Sequence, residues 1–192
     1  VTGPAKILEA TDLQLLLSHV ATRRQAQRDT VILLLSFKAG LRACEIAGLD
    51  WYMVTGASGG IADSIAVAGT IAKNGRARRI PLHPDLKAAL RKSWLMAGRP
   101  RHAPVLLSQK GGHLTAGSVV NWFTALYAQV GLTGCSSHSG RRTFITNSAR
   151  LVAQVGGCLR DVQELAGHSA LTTTERYIEG DREAQRKLVQ LL

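Results

Sequence analysis

His168-Ser169-Ala170-Leu171-Thr172-Thr173-Thr174-Glu175-Arg176-Tyr177 decides how this chain is read. An imidazole and a phenol stand nine positions apart, near the C-terminal end. Upstream, in order, come Gly40-Leu41-Arg42-Ala43-Cys44-Glu45, then Lys73 beside Asn74-Gly75, then His138-Ser139-Gly140-Arg141. A phenol, two guanidiniums, two imidazoles and an ammonium can make a phosphoryl-transfer site without a metal. Tyrosine supplies the nucleophile, and the cations and donors hold the phosphate oxygens where the transition state gathers charge.

Each element alone has a plainer reading. Arg42 follows the Gly40 break at a helix start, where a planar guanidinium can grip two phosphate oxygens. Glu45 lies three residues on, and an ion pair on one helix face would account for both. His138 and Arg141 share that spacing, which sets imidazole and guanidinium side by side on one helix or makes a capping histidine beside a solvated arginine. Gly167 permits a tight helix exit before His168, although a lone histidine is more often structural. Lys73 beside a turn is ordinarily solvated. A free phenol is mostly protonated at neutral pH, so Tyr177 needs a cationic pocket to become a nucleophile. Tyr127 falls on a core stripe and Tyr52 beside a strand, which makes both packing residues.

Together, in this order and spacing, these residues resemble the catalytic domain of the tyrosine recombinases, also called the phage integrase family. The resemblance runs from about Leu13 to about Glu179. It implies Arg42 and Arg141 as the two phosphate clamps and His138 as donor to a non-bridging oxygen or carrier of the tyrosine proton. His168 becomes a further phosphate-oxygen donor, Glu45 an acid that orients the site, and Tyr177 the nucleophile. Lys73 fits the position of the general acid for the leaving 5′ oxygen, and a flexible ammonium suits that task. Arg76, Arg78 and Arg79 then make the hairpin a DNA-facing basic finger. Arg142, adjacent to Arg141, should face differently, toward the DNA backbone or an acidic neighbour. Gly140 departs from the larger apolar residue usual in the family.

Composition agrees with a polyanionic partner. The 192 residues carry 24 Lys and Arg against 13 Asp and Glu, a formal net charge of +11. That excess favours nucleic acid first and an acidic membrane surface second. No run of 18 apolar residues exists, so no membrane helix is expected. The three cysteines, Cys44, Cys135 and Cys158, have no CxxC spacing and read as buried thiols in a reducing cytoplasm. No metal and no cofactor are expected.

The pattern along the chain predicts one α+β domain over residues 1–192, mostly helical with a small antiparallel sheet or hairpin. Thr11-Asp12-Leu13-Gln14 reads as a capping box. A helix from about Arg24 to Lys38 should be central, because Val31 to Leu35 is apolar on every side. Between Trp51 and Leu82 the period changes to that of strands, and Asn74-Gly75 signals a type I′ hairpin turn. Helices follow at about Asp85 to Met96 and after Thr115, with a short extended piece at Val105-Leu106-Leu107 between them. Short helices fill the rest. Gly180 and Asp181 would open a tail helix over residues 181–192 with an apolar stripe of Ala184, Leu188, Leu191 and Leu192. It would dock on its own domain or exchange with a neighbouring protomer.

The resemblance implies site-specific cleavage and rejoining of double-stranded DNA through a 3′-phosphotyrosyl link, with neither ATP nor metal. It further implies a homo-tetramer on paired sites, a monomer when isolated, and a bacterial or phage origin with a cytoplasmic, nucleoid-associated location. Family members usually carry an N-terminal helical domain, for which no room exists before Leu13. The chain is thus expected to be an excised catalytic domain or a short variant relying on a partner. Two rivals stand beside this reading: a non-catalytic DNA-binding module of the same fold, and a type IB topoisomerase.

Overall fold

The computed structural model describes residues 5–178 together with 186, 189 and 190. Helices α1 (Ala10–Ala21) and α2 (Ala26–Ala39) open the chain, followed by the short α3 (Ala43–Ala47). Strands β1 (Ser64–Val67) and β2 (Arg78–Pro81) pair antiparallel. Then come α4 (Pro84–Met96), α5 (Ala116–Gln129), α6 (Ser139–Leu151), α7 (Leu159–Ala166) and α8 (Leu171–Glu175). The mostly helical α+β expectation holds. The tail-helix positions Gly180, Asp181, Ala184, Leu188, Leu191 and Leu192 lie outside the described residues.

Helix α2 occupies the centre, as its all-round apolar run requires. Val31, Ile32, Leu33, Leu34 and Leu35 are all buried, and α1, α4 and α6 pack around the helix. Such a helix has no polar face to give to water, so neighbours must cover every side. Gly140 explains the α2–α6 approach: a Cβ there would stand 2.8 Å from ring carbons of Phe37. A larger side chain at that position would push the two helices apart. A smaller cluster of Ile145, Val162 and Ala166 joins α6 to α7, and Tyr177 packs against it.

Four local expectations are corrected. Helix α1 starts at Ala10, where the Glu9 N–H donates to Asp12 Oδ2 at 2.9 Å, so the cap lies before Thr11. The strands are not joined by a type I′ turn. Ser64 pairs with Pro81 and Val67 with Arg78, which leaves residues 68–77 as a ten-residue loop. A type I′ turn needs positive φ at both central residues. Gly75 has φ 67°, but among the described residues Arg99 alone has positive φ without being glycine, so Asn74 does not. Val105 to Leu107 forms no strand; Pro104 and Leu107 make single bridges to Asp50 and His113. Lastly, Cys44 and Cys135 are half-buried and Cys158 is exposed.

Candidate active site

The site grows from helix ends. Gly40 closes α2 in the left-handed conformation (φ 60°), and Arg42 is the N-cap of α3. Gly167 closes α7 the same way (φ 63°), which turns the chain sharply into His168. A side chain at 167 would also meet Arg78, whose Cδ would lie 2.9 Å from its Cβ. His138 precedes α6 rather than riding on it, and Arg141 sits in that helix's first turn. Tyr177 follows α8. These ends converge on a cavity of about 700 Å³ whose polar lining includes Arg42, His138, Arg141, Arg142, His168 and Tyr177.

Glu45 organises the floor. It is fully buried and accepts from four donors: the Arg42 N–H at 2.9 Å, Arg42 Nη1 at 3.2 Å, and Arg78 Nη1 and Nη2 at 2.8 and 2.9 Å. Burial alone would raise its pKa. The hydrogen bonds and charge of Arg78, then those of Arg42, overcome this and hold the carboxyl below its ordinary range. Glu45 thereby caps α3 and fixes two guanidiniums at once.

Arg78 was expected on a DNA-facing finger. The structure turns it inward: besides Glu45, its Nε donates to the Leu165 carbonyl at 3.2 Å, tying β2 to α7. Removing one member of a buried ion pair costs about 3–5 kcal/mol, whereas a surface change ordinarily stays within about 0.5 kcal/mol. Arg78→Ala is therefore expected to lower stability by about 3 kcal/mol, since Arg42 still serves Glu45. Arg76→Ala and Arg79→Ala, at exposed positions, should unfold like the parent in urea titrations. Equal midpoints for all three variants would contradict the inward role.

Arg141 is buried and held by three acceptors. It donates to the Gly40 carbonyl at 2.5 Å, to the Ala166 carbonyl at 2.6 Å and to His168 Nε2 at 3.1 Å. Burial, and then the charge of Arg42, bring its pKa down to about 10, which leaves it charged at neutral pH. His168 Nδ1 lies 2.9 Å from Thr174 Oγ1. Burial, followed by Arg141, Arg42 and Arg78, pushes His168 down to about 4.

That shift has a consequence for stability. An unfolded imidazole takes up its proton near pH 6.5, while the folded ring resists until about pH 4. Between those values the unfolded chain binds more protons, so stability falls as pH drops from about 6.5 toward 4. Glu45, lowered instead, adds stability that is lost only further down, as pH falls through its folded pKa. Thermal unfolding at pH 7, 6, 5 and 4.5 should show a declining midpoint, with a shallower decline for His168→Gln. Parallel curves would refute this.

The remaining expected residues divide. The His168 and Tyr177 rings stack at 5.7 Å between centroids, and the Arg142 guanidinium lies 5.6 Å over the Tyr177 ring. Arg142 thus lines the same cavity as Arg141 rather than facing differently. His138 is exposed at the rim. Lys73 is exposed on the 68–77 loop and is not part of the cavity lining. Arg76 and Arg79 border an adjacent cleft with Arg160, Gln163 and Glu164. Sequence reading missed Thr174. The signal for it in the sequence is the threonine run Thr172-Thr173-Thr174 before the tyrosine.

One phenol, two imidazoles and three guanidiniums thus meet at helix ends beside a two-stranded sheet, on a mostly helical α+β fold. The chain belongs to the phage integrase family, whose profile it matches over residues 6–183. It is 32% identical over 185 residues to the tyrosine recombinase XerC of Rhodospirillum centenum, covering 92% of this chain and 50% of that protein. To XerC of Myxococcus xanthus it is 32% identical over 159 residues, covering 78% of this chain and 49% of the relative. The chain thus spans about half the length of the curated relatives it matches. Among solved structures, the Tn1549 transposon integrase in complex with a circular intermediate DNA superposes with a TM-score of 0.78 at 21% identity, over all of this chain and 67% of the other. The XerH site-specific recombinase bound to its difH substrate gives 0.71 at 21%, covering 98% of this chain and 55% of that one. Likeness at that identity speaks for the fold alone.

Among the described residues, no helix is long and apolar enough to cross a membrane.

Proposed function

We propose that the chain performs DNA strand cleavage and rejoining through a 3′-phosphotyrosyl intermediate, as the catalytic module of a site-specific recombinase or integrase. One observation carries this: Tyr177 shares its cavity with Arg42, Arg141, His168, His138 and Arg142, drawn from separate elements of the chain. In this reading the scissile phosphate enters the cavity. Arg42 and Arg141 meet its oxygens, Tyr177 passes its phenolic proton to His138 and attacks phosphorus, and the 5′ oxygen departs with a proton from Lys73. A 5′ hydroxyl of another strand later reverses the step, displacing the phenol. Bond energy stays in the phosphotyrosine, so no nucleotide is consumed.

Lys73 is assigned as the acid on the family resemblance, and the 68–77 loop would carry it to the leaving oxygen. Arg76, Arg79 and Arg142 would meet the DNA backbone. The proposed partners are double-stranded DNA and three further copies of the recombinase on paired sites. The proposed location is the bacterial cytoplasm. Residues 1–192 are taken as one catalytic domain, with the tail from residue 181 as a protomer-exchange element.

A duplex nicked near the scissile position traps the intermediate, because the short 5′ fragment diffuses away. The protein should form an SDS-stable adduct with such a duplex, and EDTA should leave its rate unchanged, since fixed cations meet the phosphate charge. Relaxation of supercoiled plasmid without recombinant product would favour topoisomerase action. Binding without any adduct would favour a non-catalytic module.

A further inference from the structure

Thr174 is fully buried in α8 and serves two parts of the site at once. Its carbonyl accepts the Tyr177 N–H at 3.0 Å, and its hydroxyl faces His168 Nδ1 at 2.9 Å. The His168 main chain is itself fixed: its N–H donates to the Gln163 carbonyl at 3.1 Å, and its carbonyl accepts from Gln163 Nε2 at 3.1 Å. The ring is thus held at both nitrogens and at its backbone.

The partners determine the tautomer. An arginine has only donors, so the contact from Arg141 Nη2 makes His168 Nε2 the acceptor. A neutral ring then carries its proton on Nδ1 and donates it to Thr174 Oγ1. In that form Nε2 offers a lone pair. A phosphate oxygen also offers lone pairs, so this tautomer cannot hold one. Two routes convert Nε2 into a donor. Full protonation adds a positive charge to a ring already surrounded by Arg141, Arg42 and Arg78, which the lowered pKa disfavours. A change of tautomer adds no charge.

We propose that Thr174 is a positioning residue that lets neutral His168 change tautomer when a phosphate enters the cavity. A hydroxyl both accepts and donates. It accepts from Nδ1–H before the phosphate arrives, and after rotation it donates to bare Nδ1, so that Nε2–H points at a phosphate oxygen. Protons balance: one leaves Nδ1 to water and one is taken from water at Nε2. Arg141 loses only its contact to Nε2 and keeps both carbonyl acceptors. The nucleophile and the histidine donor are thereby indexed to one residue, because the same threonine holds the Tyr177 main chain.

The inference rests on the phosphoryl-transfer reading, but its main test needs no cleavage. Protein with 15N-labelled histidine is titrated with inorganic phosphate until the His168 resonances stop moving. The unprotonated-nitrogen signal should lie on Nε2 at first and move to Nδ1 at saturation. Thr174→Ser should reproduce the move. Thr174→Val, near in shape but unable to hydrogen-bond, should lose it while unfolding at a similar temperature. Single-turnover cleavage should drop by about tenfold or more in Thr174→Val, the scale at which a partner orienting an imidazole counts, and remain within about threefold in Thr174→Ser. A wild-type ring that stays protonated on Nδ1, or gains both protons, overturns the proposal. So does a Thr174→Val ring that switches like the parent. An intact switch with no adduct on nicked DNA would instead count against the recombinase reading.

Discussion

Tyr177→Phe should abolish the covalent protein–DNA adduct, a loss of at least about 10⁴-fold, as when a nucleophile is removed from a site that otherwise remains whole. The chain has three tyrosines, and their surroundings separate them. Tyr127 is buried, and its hydroxyl has no partner among the described residues. Burial, aided by Cys135, drives its pKa far above the usual phenol value, so it cannot present a phenolate to DNA. Tyr52 is exposed beside His102 and is not part of the cavity lining. Tyr177 alone of the three lines the cavity. The phenylalanine ring can still stack on His168 and lie under Arg142, so folding and DNA binding should be retained. Denaturing gels with a nicked duplex give the adduct yield, and peptide mapping of the wild-type adduct gives the attachment point. A linkage on Tyr52, or an adduct that survives in Tyr177→Phe, would remove Tyr177 from its role.

The residues that sequence placed well are those whose reasons are local. Arg42 and Glu45 meet because a helix start sets i and i+3 together, and α2 is central because its apolar run has no polar face. The readings that failed depended on partners distant in the chain. Arg78 looked like a finger residue because its neighbours are cationic, yet Glu45, 33 positions earlier, draws it in. Arg142 follows Arg141 directly, but Tyr177 arrives from α8 and brings it into the same cavity. Asn74-Gly75 is a strong turn signal for two residues. The register that buries Ile65 opposite Ile80 nevertheless sets the strand pairing and leaves ten residues to close. Thr174 was illegible for the same reason: a hydroxyl acquires meaning only from the ring folded against it.

Arg141→Ala should lower cleavage by about 10²–10³-fold or more, the scale of losing one preorganised charge donor, while costing only about 1–3 kcal/mol of stability. The contrast follows from what holds the guanidinium. Its bonds to the Gly40 and Ala166 carbonyls join the C-terminal ends of α2 and α7, where helix dipoles favour a cation. Against these stand burial and the neighbouring charge of Arg42, which together bring its pKa down to about 10. The two influences oppose each other, so the net loss to the fold is modest. An incoming phosphate reverses the unfavourable part, because an anion relieves the crowding of Arg42, Arg78 and Arg141 around the Glu45 carboxylate. Inorganic phosphate should therefore raise the melting temperature of the wild-type protein and raise that of Arg141→Ala much less. Arg141→Lys sharpens the test. One ammonium cannot reach both carbonyls and still grip phosphate in a planar fork, so cleavage should stay at least about tenfold below wild type although the charge is kept. If Arg141→Lys cleaves at the wild-type rate, charge alone suffices and the bridging geometry plays no part in the chemistry.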